Sequence, residues 1–188
     1  MTVKPRIIIS SDHADIALRQ EIARHVAERG FEVEDIGPAT AESTDYPKHG
    51  EAAARRIAAG EFDLGILICG TGQGIMMAAN KVKGIRCGVC ADTFSAKMIR
   101  AHNDANMLSM GARVIGGGLA LEIVDAFLDT EFEGGRHGRR VTAVAARFVD
   151  SPGALPRGRF RAVGTSGGDQ RGHLGSGLQP VAGPRDAV

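Results

Sequence analysis

The segment with the most reactive chemistry is Leu67-Ile68-Cys69-Gly70-Thr71-Gly72-Gln73-Gly74, where an apolar run ends at a cysteine and a glycine-rich turn follows. Three glycines in five residues allow positive φ angles and close approach of backbone to a ligand. Successive amides in such a turn form a nest for an anion, and the helix that the turn opens adds its positive end. The same positive end favours the thiolate of Cys69, the form that acts as base or nucleophile. Taken alone, a cysteine at a strand end is more often an inert core residue. The turn also has a competing reading as a dinucleotide loop, with Asp92 at a suitable distance downstream to hold a ribose. Against this, Ile75 stands where the third glycine of G-x-G-x-x-G belongs, and the sequence contains no G-x-x-x-x-G-K-[ST].

Other residues of the right type lie elsewhere in the chain. Asp12-His13 closes the first apolar run, and His102-Asn103-Asp104 follows a later helical pattern. Histidine moves protons near neutral pH, and an adjacent carboxylate can orient it. Gly134-Gly135-Arg136-His137-Gly138-Arg139-Arg140 is a basic cluster. In a helix, Arg136 and Arg140 fall one turn apart on one face, spaced to clamp a phosphate, although a solvated basic face reads equally well. Cys87 and Cys90 have C-x-x-C spacing within an apparent strand, where residues three apart point to opposite faces. They therefore read as core residues and not as a metal or redox pair. No ligand-spaced cluster for a metal is evident.

The elements that must position these residues alternate. Short strands are expected at Arg6–Ser10, Phe31–Ile36, Leu64–Cys69, Ile85–Cys90 and Met107–Met110, the last with Val114-Ile115. Helices are expected from Ile16 to a stop at Gly30, at Pro47–Ala59, Ile75–Lys81 and Asp92–Arg100, through about Leu128, and at Arg139–Val149. Alternating strands and helices predict an α/β three-layer sandwich, a parallel five-stranded sheet covered on both faces and followed by a C-terminal helix. Ligands of such sheets bind beyond the carboxyl ends of the strands. On that reasoning Asp12, His13, Cys69 and His102 are all expected on one edge of the sheet.

Bulk composition narrows the function. The chain has 188 residues with 23 Lys+Arg against 22 Asp+Glu, so it lacks the basic surplus of a nucleic-acid binder. It is 43% hydrophobic, yet no apolar run reaches the roughly 18 residues of a membrane span, and Met1 to Arg6 lacks the apolar stretch of a signal peptide. Three cysteines fit a reducing compartment, and a cytoplasmic protein is expected. Residues 1–150 read as one folded domain. Residues 151–188 are dominated by Gly, Pro, Ser and Arg without apolar period, and read as a disordered tail. The alternative for the tail is an arm for an anionic partner, around Arg157, Arg159 and Arg161.

Several segments together resemble the family of type B ribose-5-phosphate isomerases and bacterial galactose-6-phosphate isomerase subunits. They are Ser11-Asp12-His13-Ala14, Thr44-Asp45-Tyr46-Pro47, the Cys69–Gly74 loop with Ala78-Ala79-Asn80-Lys81, His102-Asn103-Asp104, Gly111-Ala112-Arg113 and Gly134-Gly135-Arg136-His137. The resemblance runs from about Arg6 to Val149 and does not reach the tail. It implies a Rossmann-like sheet, no metal, no organic cofactor, and a homodimer (a tetramer being the alternative) whose active sites combine residues of both subunits. It implies Cys69 as the base between C1 and C2, and His102, supported by Asp12, for opening the furanose ring. The amides of Gly70, Thr71, Gly72, Gln73 and Gly74, with the Thr71 hydroxyl, would hold the enediolate. His13, Arg113, Arg136 and Arg140 would bind the phosphate, and Tyr46 and Asn103 the sugar. A branch of the family uses a glutamate a few residues further on. Here that stretch is Gly74-Ile75-Met76, which places the chain with the cysteine type.

The chemistry matches these residue types. Aldose–ketose isomerisation removes a weakly acidic proton beside a carbonyl and returns it to the neighbouring carbon, so one base serves both steps. Negative charge develops on oxygen, where preorganised donors are worth roughly 10²–10³-fold each. The expected substrate pair is ribose 5-phosphate and ribulose 5-phosphate. Allose 6-phosphate, galactose 6-phosphate and phosphorylated four-carbon ketoses are rivals within the same chemistry. A nucleotide-binding module would need the glycine loop but not Cys69 or His102.

Overall fold

The computed structural model describes residues 4–146. The chain order is β1 (Ile7–Ser11), α1 (Ile16–Glu28), β2 (Val33–Asp35), α2 (Tyr46–Ala58), β3 (Leu64–Cys69), α3 (Gln73–Ala79), β4 (Cys87–Val89), α4 (Thr93–Asn103), β5 (Met107–Gly111), α5 (Gly117–Leu128) and α6 (Arg136–Ala146). All strand pairs are parallel, and the sheet order is β2-β1-β3-β5-β4. The expected α/β architecture is present. The proposed tail and the end of the expected last helix, to Val149, lie outside the described residues.

Strand periodicity explains the layers. On one face Ile7, Ile9, Ile66 and Ile68 meet Leu18, Ile22 and Val26 of α1 and Ile123, Val124 and Phe127 of α5. On the other, Ile8, Leu67 and Cys69 meet Ala53, Ala54 and Ile57 of α2 and Ile75 and Ala79 of α3. All six residues of β3 are buried, as its continuous apolar run requires of a central strand. Each fully buried Ile or Leu contributes about 1.5–3 kcal/mol relative to exposure. Cys87 joins the second cluster and Cys90 the first, so the two thiols do face opposite sides of the sheet. Burial pushes both up, Cys90 to about 11.

Element boundaries differ from expectation in ways the topology explains. β2 and β4 have three residues each, shorter than their apolar runs, because both are edge strands with a partner on one side only. Val114-Ile115 lies outside β5. The Ala112 and Arg113 amides instead donate to the carbonyls of Cys69 and Gly70, folding the chain over the glycine turn. Helix α4 runs on to Asn103 and ends at Asp104, whose left-handed φ of 46° stops it. Helix α6 begins at Arg136, three residues before the expected start, directly after two glycines at φ 67° and 54°.

Candidate active site

The sheet changes direction of growth between β1 and β3, since β2 lies beyond β1 on one side and β5 and β4 beyond β3 on the other. A crevice opens at the carboxyl ends of strands at such a point. Here it holds a cavity of about 280 Å³ lined by Asp12, His13, Tyr46, Cys69, Thr71 and Arg113 among others. A wider hollow of about 570 Å³ lies against α2 and α3, lined by Glu51, Arg55, Lys81 and Lys83. It contains none of the candidate residues, so the smaller cavity is where the chemistry belongs.

Each wall has a local cause. Cys69 ends β3 with its side chain 5% exposed, and the Gly72 amide donates to its Sγ at 3.2 Å. Hydrogen bonds of this kind are strongest to a charged acceptor. Gly72 has φ 78°, and its carbonyl accepts from the buried Ser109 Oγ at 2.7 Å. A Cβ at this position would stand 2.9 Å from the Met110 carbonyl carbon. Gly72→Ala is therefore expected to cost about 1–3 kcal/mol, seen as a lowered midpoint in thermal unfolding, and to move the amide away from Cys69. Tyr46 lies across Gly74, where a Cβ would come within 2.6 Å of the phenol ring. Arg113 reaches over Gly70, within ordinary van der Waals contact of that position.

The β1 wall is held from behind. The Asp12 amide donates to the Ile68 carbonyl at 3.1 Å, joining the ends of β1 and β3, and Asp12 Oδ1 accepts from the Ala14 amide at 2.8 Å. Arg19 is buried at 3% exposure; it pairs with Asp35 at 2.9 Å and donates to Ser11 Oγ at 2.9 Å and to the Pro38 carbonyl at 3.0 Å. Ser11 Oγ in turn donates to the Asp12 carbonyl at 2.7 Å. The Thr44 amide donates to His13 Nδ1 at 3.1 Å, which leaves Nε2 as the proton-bearing nitrogen of a neutral His13. Thr44 Oγ1 is 3.0 Å from His49 Nε2. Burial holds the His49 imidazole below the usual histidine range, against the opposing pull of Asp12. Sequence spacing gave no sign that His49, Arg19 or Ser109 supports this site.

His102 is not in this cavity, contrary to the expectation of one shared edge. Helix α4 leaves the carboxyl end of β4 and runs back, so its last turn lies where β4 and β5 begin. Arg86, just before β4, donates through Nε to the Asn103 and Asp104 carbonyls, which fixes that location. Arg136 and Arg140 on α6 belong with His102. The Glu133 amide donates to the Ala101 carbonyl at 3.0 Å, and the His137 ring stacks on His102 with centroids 4.2 Å apart. The structure thus brings together Asp12, His13, Tyr46, Cys69, the Gly70–Gly74 turn and Arg113, and separately His102, Asn103, Arg136 and Arg140.

The second group includes a trio not anticipated from spacing: donor atoms of His102, Glu133 and His137 lie within 4.8 Å of one another. The two ring planes are parallel to within 1°, so their in-plane lone pairs do not converge on one point. Arg136 Nε also donates to His137 Nε2 at 3.2 Å, occupying that lone pair. This geometry does not fit one shared metal ion.

Residues 7–144 match the model of a family described as Ribose/Galactose Isomerase. The chain belongs to the ribose/galactose isomerase family. It is 50% identical over 141 residues to Ribose-5-phosphate isomerase B of Escherichia coli, covering 75% of this chain and 95% of that protein. A solved ribose-5-phosphate isomerase B from Clostridium thermocellum is 50% identical, with a TM-score of 0.75 over 77% of this chain and 97% of that one. The Mycoplasma genitalium ribose-5-phosphate isomerase B, solved with bound ribulose-5-phosphate, is 38% identical, with a TM-score of 0.75 over 78% of this chain and 97% of that one. The match to this isomerase family reaches every described element and contains both candidate groups. Among the described residues no helix is long and apolar enough to cross a membrane.

Proposed function

We propose that this chain interconverts ribose 5-phosphate and ribulose 5-phosphate through an enediolate, with Cys69 as the base. The observation that carries the reading is a near-buried thiol with an amide on its sulfur, at the floor of a cavity whose other walls offer His13 and Arg113. Cys69 takes the proton from C2 of the open aldose and returns it to C1. The amides of Gly70–Gly74 and the Thr71 hydroxyl meet the negative oxygen that forms between those events. His13 and Arg113 hold the phosphate, Tyr46 contacts the sugar, and Asp12 shapes the wall beside them.

Ring opening needs a second proton carrier, and His102 is the residue assigned to it. Because α4 directs His102 to the opposite end of the sheet, the assignment requires a homodimer in which His102 of the partner subunit reaches the Cys69 cavity. Asn103, Arg136 and Arg140 arrive with it and complete the sugar and phosphate contacts. The activity is assigned to residues 1–150, with 151–188 as a separate tail, and to the cytoplasm, whose reducing conditions suit a working thiol.

The deciding experiment is isomerisation by the full-length chain with EDTA present, on ribose 5-phosphate, allose 6-phosphate, galactose 6-phosphate and a four-carbon ketose phosphate. Preferential turnover of ribose 5-phosphate is expected. Preference for another sugar would keep the mechanism and replace the substrate, and turnover of none would remove the proposal. Arg140→Ala is expected to raise KM for ribose 5-phosphate about 10–100-fold, the loss of one charge-assisted phosphate contact, with a smaller change in kcat. An unchanged KM would withdraw Arg140 from the phosphate site.

A further inference from the structure

The His102 group contains a residue to which ring opening gives no task. His137 is the only buried residue among those described in α6, at 5% exposure, and a buried histidine on a basic surface helix requires a reason. Its ring lies flat on His102, with centroids 4.2 Å apart and planes within 1°. The approach is built into the backbone. The Glu133 amide is tied to the Ala101 carbonyl on α4 at 3.0 Å, and Gly134 and Gly135, at φ 67° and 54°, turn the chain so that the first turn of α6 lands on the last turn of α4.

A hydrogen bond selects the tautomer of the buried ring in its neutral form. Arg136 Nε, a donor without a lone pair, points at His137 Nε2 at 3.2 Å, so that nitrogen accepts and the neutral ring carries its proton on Nδ1. Burial, with His102 and Arg136 beside it, keeps the His137 imidazole below the usual histidine range against the nearby Glu133. His102 is by contrast half-open, with a side-chain exposure of 35%, and Glu133 Oε2 lies near both rings, 3.8 Å from His102 Nε2 and 3.6 Å from His137 Nε2. Of two stacked imidazoles, one is therefore buried beneath the helix pair, and the other is half-open to solvent.

We propose that His137 is a positioning residue for ring opening: a fixed aromatic platform that sets the plane of His102. The proposal rests on the reading that His102 opens the sugar ring. In that step the anomeric O1 hydroxyl loses its proton, C1=O forms, the C1–O4 bond breaks and O4 takes up a proton. One imidazole serves both oxygens only while its plane is aligned with them. A ring free to rotate would meet one oxygen at a time. The flat face of His137, stacked on His102 with centroids 4.2 Å apart, resists that rotation.

The test is a double-mutant cycle on the full-length chain, read as ribose 5-phosphate turnover. His137→Gln is expected to lower kcat about 10–100-fold in the wild-type background, the effect of a misplaced catalytic group. In the His102→Asn background, which turns over only the open-chain aldehyde present in solution, the same substitution is expected to change kcat less than about two-fold. His137→Phe, which restores a flat ring but no nitrogen, is expected to stay closer to wild type than His137→Gln. Equal losses from His137→Gln in both backgrounds would show a merely structural role and overturn the proposal. So would a glutamine variant that outperforms phenylalanine, because the acceptor for Arg136 would then matter and the platform would not. Thermal unfolding of each variant identifies a folding defect, and the phenylalanine variant keeps the comparison decisive if glutamine unfolds the helix pair. A His102→Asn protein as active as wild type would sink the ring-opening reading itself, an outcome separate from either of these.

Discussion

Cys69→Ala is expected to abolish nearly all isomerisation, with kcat lowered by roughly 10²–10⁴-fold, the usual contribution of a positioned proton-transfer group. Fold should survive. Cys69 is the last residue of β3 and borders the cavity, so removing its sulfur enlarges an existing space and leaves the Ile66, Leu67 and Ile68 packing intact. Only the Gly72 amide loses a partner. The phosphate contacts assigned to His13 and Arg113 do not involve the thiol, so KM should change far less than kcat. Steady-state kinetics beside a thermal melt separates these effects. Retained turnover in a folded variant would remove Cys69 as the base, and loss of both turnover and melting transition would make its role structural. Cys87 and Cys90 serve as internal controls, buried thiols on opposite faces of the sheet and away from the cavity.

The second large effect is a recovery. Cys69→Ala and His102→Asn homodimers are each expected to be nearly inactive on ribose 5-phosphate. Mixing them after subunit exchange should restore activity, because one site of every mixed dimer combines an intact Cys69 with an intact His102. Random exchange gives half mixed dimers with one good site of two, or about a quarter of wild-type activity per chain. The expectation follows from the course of α4, which separates the two residues within one protomer. If both acted in the same subunit, no mixed dimer would contain a working site and mixing would restore nothing. Dimers mixed from differently tagged chains and purified through both tags give the cleanest version, with an expected activity of about half the wild type.

The sequence was most readable where burial is complete. β3 was recognisable to the residue because all six of its residues are enclosed, so nothing polar interrupts the run. The cavity on the β1 and β3 side was also legible, since residues that follow strands of a parallel sheet collect at one edge. His102 shows where that logic stops. It follows a helix, and helices of a parallel sheet run back against the strands, so a residue at a helix end belongs to the far edge. Reading α4 as ending at Arg100 hid the point, because the stop is supplied by Asp104 in a left-handed conformation that no proline or glycine signals. Support residues were less visible still. Thr44 links His13 to His49 across a loop and a helix start, and Ser109 reaches the Gly72 carbonyl from another strand, so neither relation has a characteristic spacing. His137 appeared only as part of a basic cluster, and its burial depends on how α6 docks on α4.

The separation of the Cys69 cavity from the end of α4 also has a thermodynamic meaning. On the proposed reading a bound sugar phosphate touches two chains at once, so it acts as a ligand of the assembled form and not of the lone protomer. Mass action then couples occupancy to association: substrate draws protomers together, and a dilute solution of this chain loses specific activity without any chain unfolding. An inhibitor that mimics the enediolate would, by the same coupling, act as an adhesive between subunits.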